Sequence, residues 1–164
     1  MKHLTLIRHG KSSWDWPSLQ DFERPLNARG WRDSPRMADV FAEYEDLPDQ
    51  WVSSHATRAL TTARIFAHHL RVPVESICVS EAVYETDAGS LLEFLRLQFP
   101  SARHIVVFGH NPGMEDLAQS LCPEFVQSMP TCAIAQFAMK IKSWKDLAPG
   151  CAALVRFDYP KKFG

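Results

Sequence analysis

The feature that most constrains this chain is a regular alternation of strand-like and helix-like segments along its 164 residues. Short apolar runs are each followed by a longer segment whose apolar residues recur at helical spacing. Such alternation predicts a mainly parallel sheet with helices on both faces, because parallel neighbours need a long crossover connection. The whole chain, 1–164, has the usual size of one domain, so a single domain is expected.

The strongest strand signal is the run 104–109, which is apolar, rich in β-branched residues and closed by Gly109. The predicted strands are 3–7, 51–53, 74–79, 104–109, 131–141 and 151–158. The predicted helices are one beginning after Asn27, then 56–70, 88–98 and 113–121. No helix separates the last two strands, which can therefore add an antiparallel edge. The predicted fold class is a three-layer α/β/α sandwich with a mainly parallel central sheet.

Two features of the first third of the chain leave alternatives open. Residues 11–26 show no steady period and are predicted to form a long loop, in which Trp14 and Trp16 either flank a site or fill the core. Asn27 is a suitable cap for the helix that follows, but Pro35 interrupts its pattern. The helix is therefore expected to kink at Pro35 or to begin later.

Composition excludes several classes of protein. Eighteen Lys and Arg residues against nineteen Asp and Glu residues argue against a polycation built for nucleic acid. The four cysteines form no C-x-x-C pair and have no His at a zinc-ligand spacing, so reduced thiols are expected. No apolar stretch approaches the ~18 residues of a membrane span, and the N-terminus lacks a signal-peptide pattern. A cytoplasmic protein without membrane or nucleic-acid partners is expected.

Unusual polar residues follow three of the predicted strands. They lie in three segments, Arg8-His9-Gly10-Lys11-Ser12, Ser53-Ser54-His55-Ala56-Thr57-Arg58 and Gly109-His110-Asn111-Pro112-Gly113. The carboxyl ends of parallel strands meet at one edge of a sheet, where ligands bind in such folds. We therefore expect two Arg, two His and several hydroxyl groups to lie together there.

This mixture of groups suits a phosphoryl ligand. Arg donates forked, charge-assisted hydrogen bonds to phosphate oxygens, and helix N-termini favour anions. A neutral imidazole is also a nucleophile that forms covalent intermediates, and nearby Arg lowers the imidazole pKa. The residues alone thus predict phosphate binding and favour phosphoryl transfer.

The ordered set Arg8-His9-Gly10, Ser53-Ser54 with Arg58, and Gly109-His110 resembles the histidine phosphatase superfamily, also called phosphoglycerate mutase-like. The resemblance covers roughly residues 3–113. The short length, Arg24-Pro25-Leu26-Asn27 with Gly30, Gly109-His110-Asn111-Pro112-Gly113 and Pro130-Thr131 are similar to the SixA-type phosphohistidine phosphatase branch.

The resemblance implies a role for each matching residue. His9 matches the nucleophile that becomes transiently phosphorylated, and Arg8 and Arg58 match the two phosphate-binding arginines. His110 matches the second histidine, which hydrogen-bonds the transferring phosphoryl group. Ser12 and Asn111 are further candidates for phosphate binding.

Two acidic positions are less clear from the resemblance. Asp15 stands where many relatives have Asn, and an ionised Asp facing phosphate would be repulsive. Relatives place a general acid in the loop after the third strand, where this chain has Glu81, Glu85 and Asp87. The family pattern overlays Glu85 best, although a dedicated acid could be missing in the SixA branch.

The resemblance implies an enzyme that needs no metal or other cofactor. The expected substrate is phosphohistidine in a protein, such as a histidine phosphotransfer domain, because ~160 residues leave little room for insertions that enclose small substrates. The alternatives are a small-molecule phosphomonoesterase and, less favoured, a non-catalytic phosphate-binding module. A monomer is favoured, although the sequence leaves the oligomeric state open.

Overall fold

A computed structural model describes all residues, 1–164, and contains one six-stranded mixed sheet. The strands are β1 Lys2–Arg8, β2 Gln50–Ser54, β3 Ile77–Ser80, β4 His104–Gly109, β5 Ile134–Met139 and β6 Ala152–Asp158. The α-helices are α1 Ala28–Ala42, α2 Thr57–His69, α3 Ala88–Gln98 and α4 Gly113–Leu121. The strand order across the sheet is β3-β2-β4-β1-β5-β6.

The pairing of the strands confirms the predicted architecture. Strands β3, β2, β4 and β1 are parallel neighbours, whereas β5 and β6 extend the sheet as antiparallel strands. This arrangement is an α/β fold with a mainly parallel sheet and an antiparallel edge. The two antiparallel strands need no crossover α-helix, and only a short 3₁₀ turn, Trp144–Asp146, lies between them in the chain.

Each face of the sheet carries its own apolar core. On β4, Val106 and Phe108 pack with α1 and α2, where Phe41 and Phe66 are fully buried. Alternate residues of β4 point to the opposite core, which includes side chains of α3 and α4 such as Leu91. A strand buried on both faces appears in sequence as an uninterrupted apolar run, which explains the strong signal of 104–109.

The structure corrects three of the predicted elements. The predicted strand 74–79 is a short 3₁₀ turn, Val74–Ser76, followed by β3, and the predicted strand 131–141 is shortened to β5. Helix α1 neither kinks into two elements nor begins after Pro35. Met37 and Phe41 are fully buried in the turns beyond Pro35, and this packing outweighs the one hydrogen bond that proline cannot donate.

Two further features of the structure concern the cysteines and the character of the helices. All four cysteines are free thiols, with Cys122 and Cys132 buried and the other two partly buried. None of the helices combines the length and the apolar character needed to cross a membrane.

The start of α1 is docked closely onto the loop that follows β1. The Asn27 side chain caps the helix by accepting from the Gly30 N–H at 2.9 Å, as predicted, and its own N–H donates to the Lys11 carbonyl at 2.9 Å. A Cβ atom on Gly30 would lie 2.3 Å from that Lys11 oxygen. Glycine at this position therefore lets α1 support the loop after β1.

Replacing Gly30 by Ala is expected to lower the free energy of unfolding by about 1–3 kcal/mol, because the added methyl group overlaps the Lys11 carbonyl. Urea unfolding measures the change. Gly89→Ala is the matched control, since a Cβ there meets nothing closer than 3.6 Å in a helix. It should raise stability by about 0.5–1 kcal/mol. Equal effects of the two substitutions would contradict close packing at Gly30.

Candidate active site

The two histidines lie side by side because β1 and β4 are parallel neighbours in register. Arg8 at the end of β1 faces Gly109 at the end of β4. The His9 N–H donates to the Gly109 carbonyl at 3.1 Å, and the centroids of the His9 and His110 rings lie 5.1 Å apart. Helix α2 starts after β2, the other neighbour of β4, and brings Arg58 to the same edge. The structure thus brings together the residues that the three segments predicted.

The His9 ring has one free nitrogen. Its Nδ1 lies 2.6 Å from the Gly10 carbonyl oxygen, which can only accept, so Nδ1 carries the proton and Nε2 keeps its lone pair. Burial lowers the pKa of His9 to about 3, and the charges of Arg58 and Arg8 act in the same direction. His9 is therefore a neutral imidazole at pH 7, the form that can attack phosphorus.

The His110 ring takes the opposite tautomer. Its Nδ1 faces the Arg58 Nη2 at 3.4 Å, and a guanidinium can only donate, so the proton lies on Nε2. That Nε2 donates to the Ser54 hydroxyl at 2.8 Å. Burial, followed by the charge of Arg58, lowers the pKa of His110 to about 3. Two neutral imidazoles therefore stand beside two cationic guanidinium groups.

Each of the two arginines keeps a buried N–H group without a protein partner. Arg58 is only 6% exposed, and its Nε has no hydrogen-bond partner although Nη1 and Nη2 have partners. Arg8 donates from Nη1 to the Met129 carbonyl at 3.0 Å, and its Nε is also buried and unpartnered. Buried donors are almost always paired in folded proteins, so these two point to an anionic ligand.

Thr62 on α2 ties Arg58 to the loop that carries His9. Its hydroxyl donates to the Arg58 carbonyl at 2.8 Å and accepts from the Gly10 N–H at 3.0 Å. Gly10 is itself constrained, because a Cβ there would lie 2.7 Å from the Ser34 hydroxyl. The backbone around His9 is therefore held by α1 and α2 together.

Asp21 is a site residue that the sequence did not reveal. Its Oδ2 accepts from Arg58 Nη2 at 2.9 Å and from the Tyr84 hydroxyl at 2.6 Å, while Oδ1 accepts from Arg24. Burial alone would raise the pKa of Asp21, but the hydrogen bonds from Tyr84 and Arg58 outweigh it and hold that pKa well below its ordinary value. Asp21 lies in a 3₁₀ turn of the loop 11–26, where no periodicity marks a partner.

Three other residues singled out from the sequence, Ser12, Asn111 and Asp15, differ in burial and in their hydrogen-bond partners. Ser12 is buried, and its hydroxyl accepts from Arg24 at 2.8 Å. Asn111 donates to the Met129 carbonyl at 3.0 Å, and its buried Oδ1 has no partner. Asp15 is exposed in the loop.

Trp14 and Trp16 lie on the surface rather than in the core, 72% and 59% exposed. The Trp14 ring stacks against the Arg24 guanidinium at 3.6 Å, and Arg24 in turn contacts Asp21. The structure therefore supports the alternative in which the two tryptophans flank the site and do not fill the core.

A pocket of about 500 Å³ opens over Arg58 and His110. The lining residues also include Asp21, Glu85, Thr86, Asp87, Asn111, Pro112, Gly113 and Asp116. Of the three carboxylates considered as a general acid, Glu85 and Asp87 line this pocket and Glu81 does not. The Asp87 side chain is engaged as the cap of α3, where it accepts from the Ser90 N–H at 2.7 Å. No group of three or more His, Cys, Asp or Glu side chains is arranged to hold a metal ion.

Comparison with known proteins gives one family and one fold. Residues 4–96 match the model of the histidine phosphatase superfamily (branch 1). An uncharacterized chloroplastic protein of Arabidopsis thaliana is 29% identical over 153 residues, which are 88% of this chain and 70% of that protein.

Two solved structures show how far the fold extends. The protein histidine phosphatase SixA complexed with tungstate superposes with a TM-score of 0.82 at 23% identity, covering 99% of each chain. A phosphoserine phosphatase mutant of Entamoeba histolytica in complex with phosphoserine superposes with a TM-score of 0.69 at 17% identity, covering 100% of each chain. Because both identities are below 25%, the two superpositions show that the fold is shared and nothing more.

The Asp21→Asn substitution is expected to lower kcat for p-nitrophenyl phosphate by about tenfold, because a misplaced guanidinium stabilises the transition state less well. KM should not rise, since a negative charge beside the phosphate has been removed. Steady-state kinetics separate the two constants. Glu23→Gln, in the same 3₁₀ turn, is the matched control and should change neither. A rise in KM with unchanged kcat would show that Asp21 does not position Arg58.

Proposed function

This chain belongs to the histidine phosphatase superfamily and is a phosphatase, and on that premise we propose that it removes phosphate from phosphohistidine in a protein through a covalent intermediate on His9. One observation carries the proposal. The neutral Nε2 of His9 stands among Arg8, Arg58 and His110, and both arginines keep buried donors free. This arrangement supplies a nucleophile and the donors for a transferring phosphoryl group in one place.

The first step transfers the phosphoryl group to the enzyme. The Nε2 lone pair of His9 forms a bond to phosphorus while the bond from phosphorus to the substrate nitrogen breaks, and that nitrogen keeps the electron pair. If the other nitrogen of the substrate ring is protonated, the leaving group is neutral imidazole and needs no added proton. The Nδ1–H of His9 keeps its hydrogen bond to Gly10, which stabilises the ring cation that forms.

The second step regenerates the enzyme. The oxygen of water bonds to phosphorus, the bond from phosphorus to Nε2 breaks, and its electrons return to His9. Inorganic phosphate then leaves with both protons of the water molecule. In both steps Arg8 and Arg58 neutralise the phosphoryl oxygens, and fixed donors of this kind are typically worth ~3–4 kcal/mol each in the transition state. The His110 ring lies beside both His9 and Arg58, 5.1 Å from the His9 ring.

The preference for a protein substrate is supported by the position of the pocket. The pocket over Arg58 and His110 lies at the surface and is partly lined by exposed residues such as Glu85 and Pro112. A phosphoryl group on a protein surface can reach such a site.

The protein's location and organisation are proposed on related grounds. We place it in the cytoplasm, where its four free cysteines would stay reduced. We propose a single domain, since one sheet takes its strands from residues 2 to 158. No metal or other cofactor is assigned a role in either step.

The His9→Ala substitution is expected to abolish turnover of p-nitrophenyl phosphate measured in excess chelator, because both nitrogens of His110 have partners and Nε2 of His9 is the free imidazole nitrogen of the site. Acid-quenched wild-type enzyme mixed with a phosphohistidine protein should carry acid-labile phosphate on His9. His68→Ala, at the exposed end of α2, is the control and should keep full activity. Full activity of His9→Ala would overturn the mechanism.

The substrate class is tested separately from the mechanism. Phosphorylated histidine phosphotransfer proteins and a panel of sugar and nucleotide phosphates are compared by kcat/KM. A preference for the phosphoproteins supports the proposal. A preference for one small phosphomonoester, with His9 still phosphorylated, would instead support the small-molecule phosphatase.

The position of Glu85 is the observation that favours this second candidate. Glu85 lines the pocket with Arg58 and His110, where a carboxylic acid could protonate the oxygen of an alcohol leaving group. Phosphohistidine does not need that proton. A general acid at Glu85 is therefore needed only if the substrate is an alkyl phosphate.

The Glu85→Gln substitution is expected to slow hydrolysis of an alkyl phosphate by ~10²–10⁴-fold if Glu85 is the general acid. Hydrolysis of p-nitrophenyl phosphate and of phosphohistidine should fall far less, because their leaving groups need less protonation. Measuring kcat/KM on the three substrates gives the comparison. Glu81→Gln, in the neighbouring 3₁₀ turn, is the control. A loss confined to Glu81→Gln would move the role to that residue.

A further inference from the structure

Three exposed carboxylates, Glu85, Asp87 and Asp116, form an acidic rim around the pocket that holds Arg58 and His110. Asp87 is the residue that caps α3, and Asp116 lies in the first turn of α4. No Lys or Arg side chain pairs with any of the three. The rim therefore presents uncompensated negative charge to whatever enters the pocket.

The floor of the pocket has the opposite charge. Arg58 is the only cation among the lining residues, and its charge is shared with Asp21. Arg58 lines the pocket although it is only 6% exposed, and its buried Nε has no protein partner, which points to an anionic ligand beside it. A phosphoryl group bound there must direct the rest of its substrate toward the rim.

With a cation inside the pocket and carboxylates at its rim, the site distinguishes substrates by the charge of the group that carries the phosphoryl group. A substrate with a second anionic group, such as a phosphorylated acid, would place that group among the three carboxylates. A substrate whose phosphoryl group is attached to a cation would place the cation there instead. Charges a few ångström apart near a protein surface interact by ~1–4 kcal/mol, enough to decide between the two classes.

We propose that the rim of Glu85, Asp87 and Asp116 selects a phosphoryl group carried on a cationic group, here the protonated imidazole of phosphohistidine, and excludes phosphorylated metabolites that bear a second negative charge. This inference rests on the proposed function, because it explains how the same site recognises its leaving group. It assigns the discrimination to charge at the pocket mouth rather than to the shape of the pocket.

The chemistry of the leaving group predicts which kinetic constants the rim changes. The substrate ring is cationic when it binds. It becomes neutral as the bond from phosphorus to nitrogen breaks, since the ring nitrogen takes the electron pair and the second nitrogen keeps its proton. The ring keeps part of its positive charge in the transition state, where that bond is only partly broken. The carboxylates therefore stabilise the transition state as well as the bound substrate, so their loss raises KM and lowers kcat/KM.

The test uses the double variant Asp87→Asn with Asp116→Asn, in which Glu85 is left unchanged. Asn retains the capping of α3, so the change removes charge while keeping the helix start. The control carries Glu75→Gln with Asp146→Asn, two exposed positions that do not line the pocket. For both variants and the wild type, kcat/KM is measured on phosphohistidine, on cationic phosphorylcholine and on anionic 3-phosphoglycerate, at low and at high ionic strength.

The double variant should lower the phosphohistidine-to-phosphoglycerate ratio of kcat/KM by about tenfold at low salt, through KM, and the control should leave the ratio unchanged. High salt should bring the wild-type ratio toward that of the double variant, an effect that a loss of packing would not produce. An unchanged ratio, or an equal fall in the control, would overturn the role of the rim while leaving the proposed function intact.

The phosphorylcholine arm keeps the two proposals distinguishable. If the wild type does not hydrolyse phosphohistidine, the proposed substrate is wrong. The ratio of phosphorylcholine to phosphoglycerate then still reports the charge selectivity of the rim. A salt-sensitive fall of that ratio in the double variant supports the rim, and its absence overturns it.

Discussion

Parallel pairing of β1 with β4, and of β4 with β2, is the constraint on which the rest of this structure depends. Each of these strands ends at the same edge of the sheet, so the residues that follow them meet in space although about fifty residues separate them in sequence. The pairing of Arg8 with Gly109 places the His9 and His110 rings 5.1 Å apart. A shift of register between these strands would separate the rings and remove the site.

Burial then determines the chemical state of the site. The two imidazoles lie beside two guanidinium groups in a space with little access to water, and the pKa of each histidine falls to about 3. The hydrogen bond from Nδ1 of His9 to the Gly10 carbonyl leaves Nε2 as the free nitrogen. The same burial leaves Nε groups of Arg8 and Arg58 without protein partners. Packing therefore produces both a nucleophile and the donors that an anion requires.

The loop 11–26 adds to the site a residue, Asp21, that does not follow a strand end. Asp21 holds Arg58 from the side, and Tyr84 and Arg24 hold Asp21. Arg58 gives the pocket its cation, and the exposed carboxylates Glu85, Asp87 and Asp116 give its entrance a negative charge. Such a distribution of charge suits a phosphoryl group whose carrier is not itself an anion.

The sequence by itself determined the alternation of strands and helices, the parallel sheet with its antiparallel edge, and the meeting of Arg8, His9, Arg58 and His110. These follow from local periodicity and from the rule that the carboxyl ends of parallel strands share one edge. Only the tertiary structure decided that α1 continues through Pro35 and that Asp21 contacts Arg58. Continuation of a helix past a proline depends on the packing beyond it, and the partner of a loop residue depends on the path of the loop through space. Neither is encoded in a spacing along the chain.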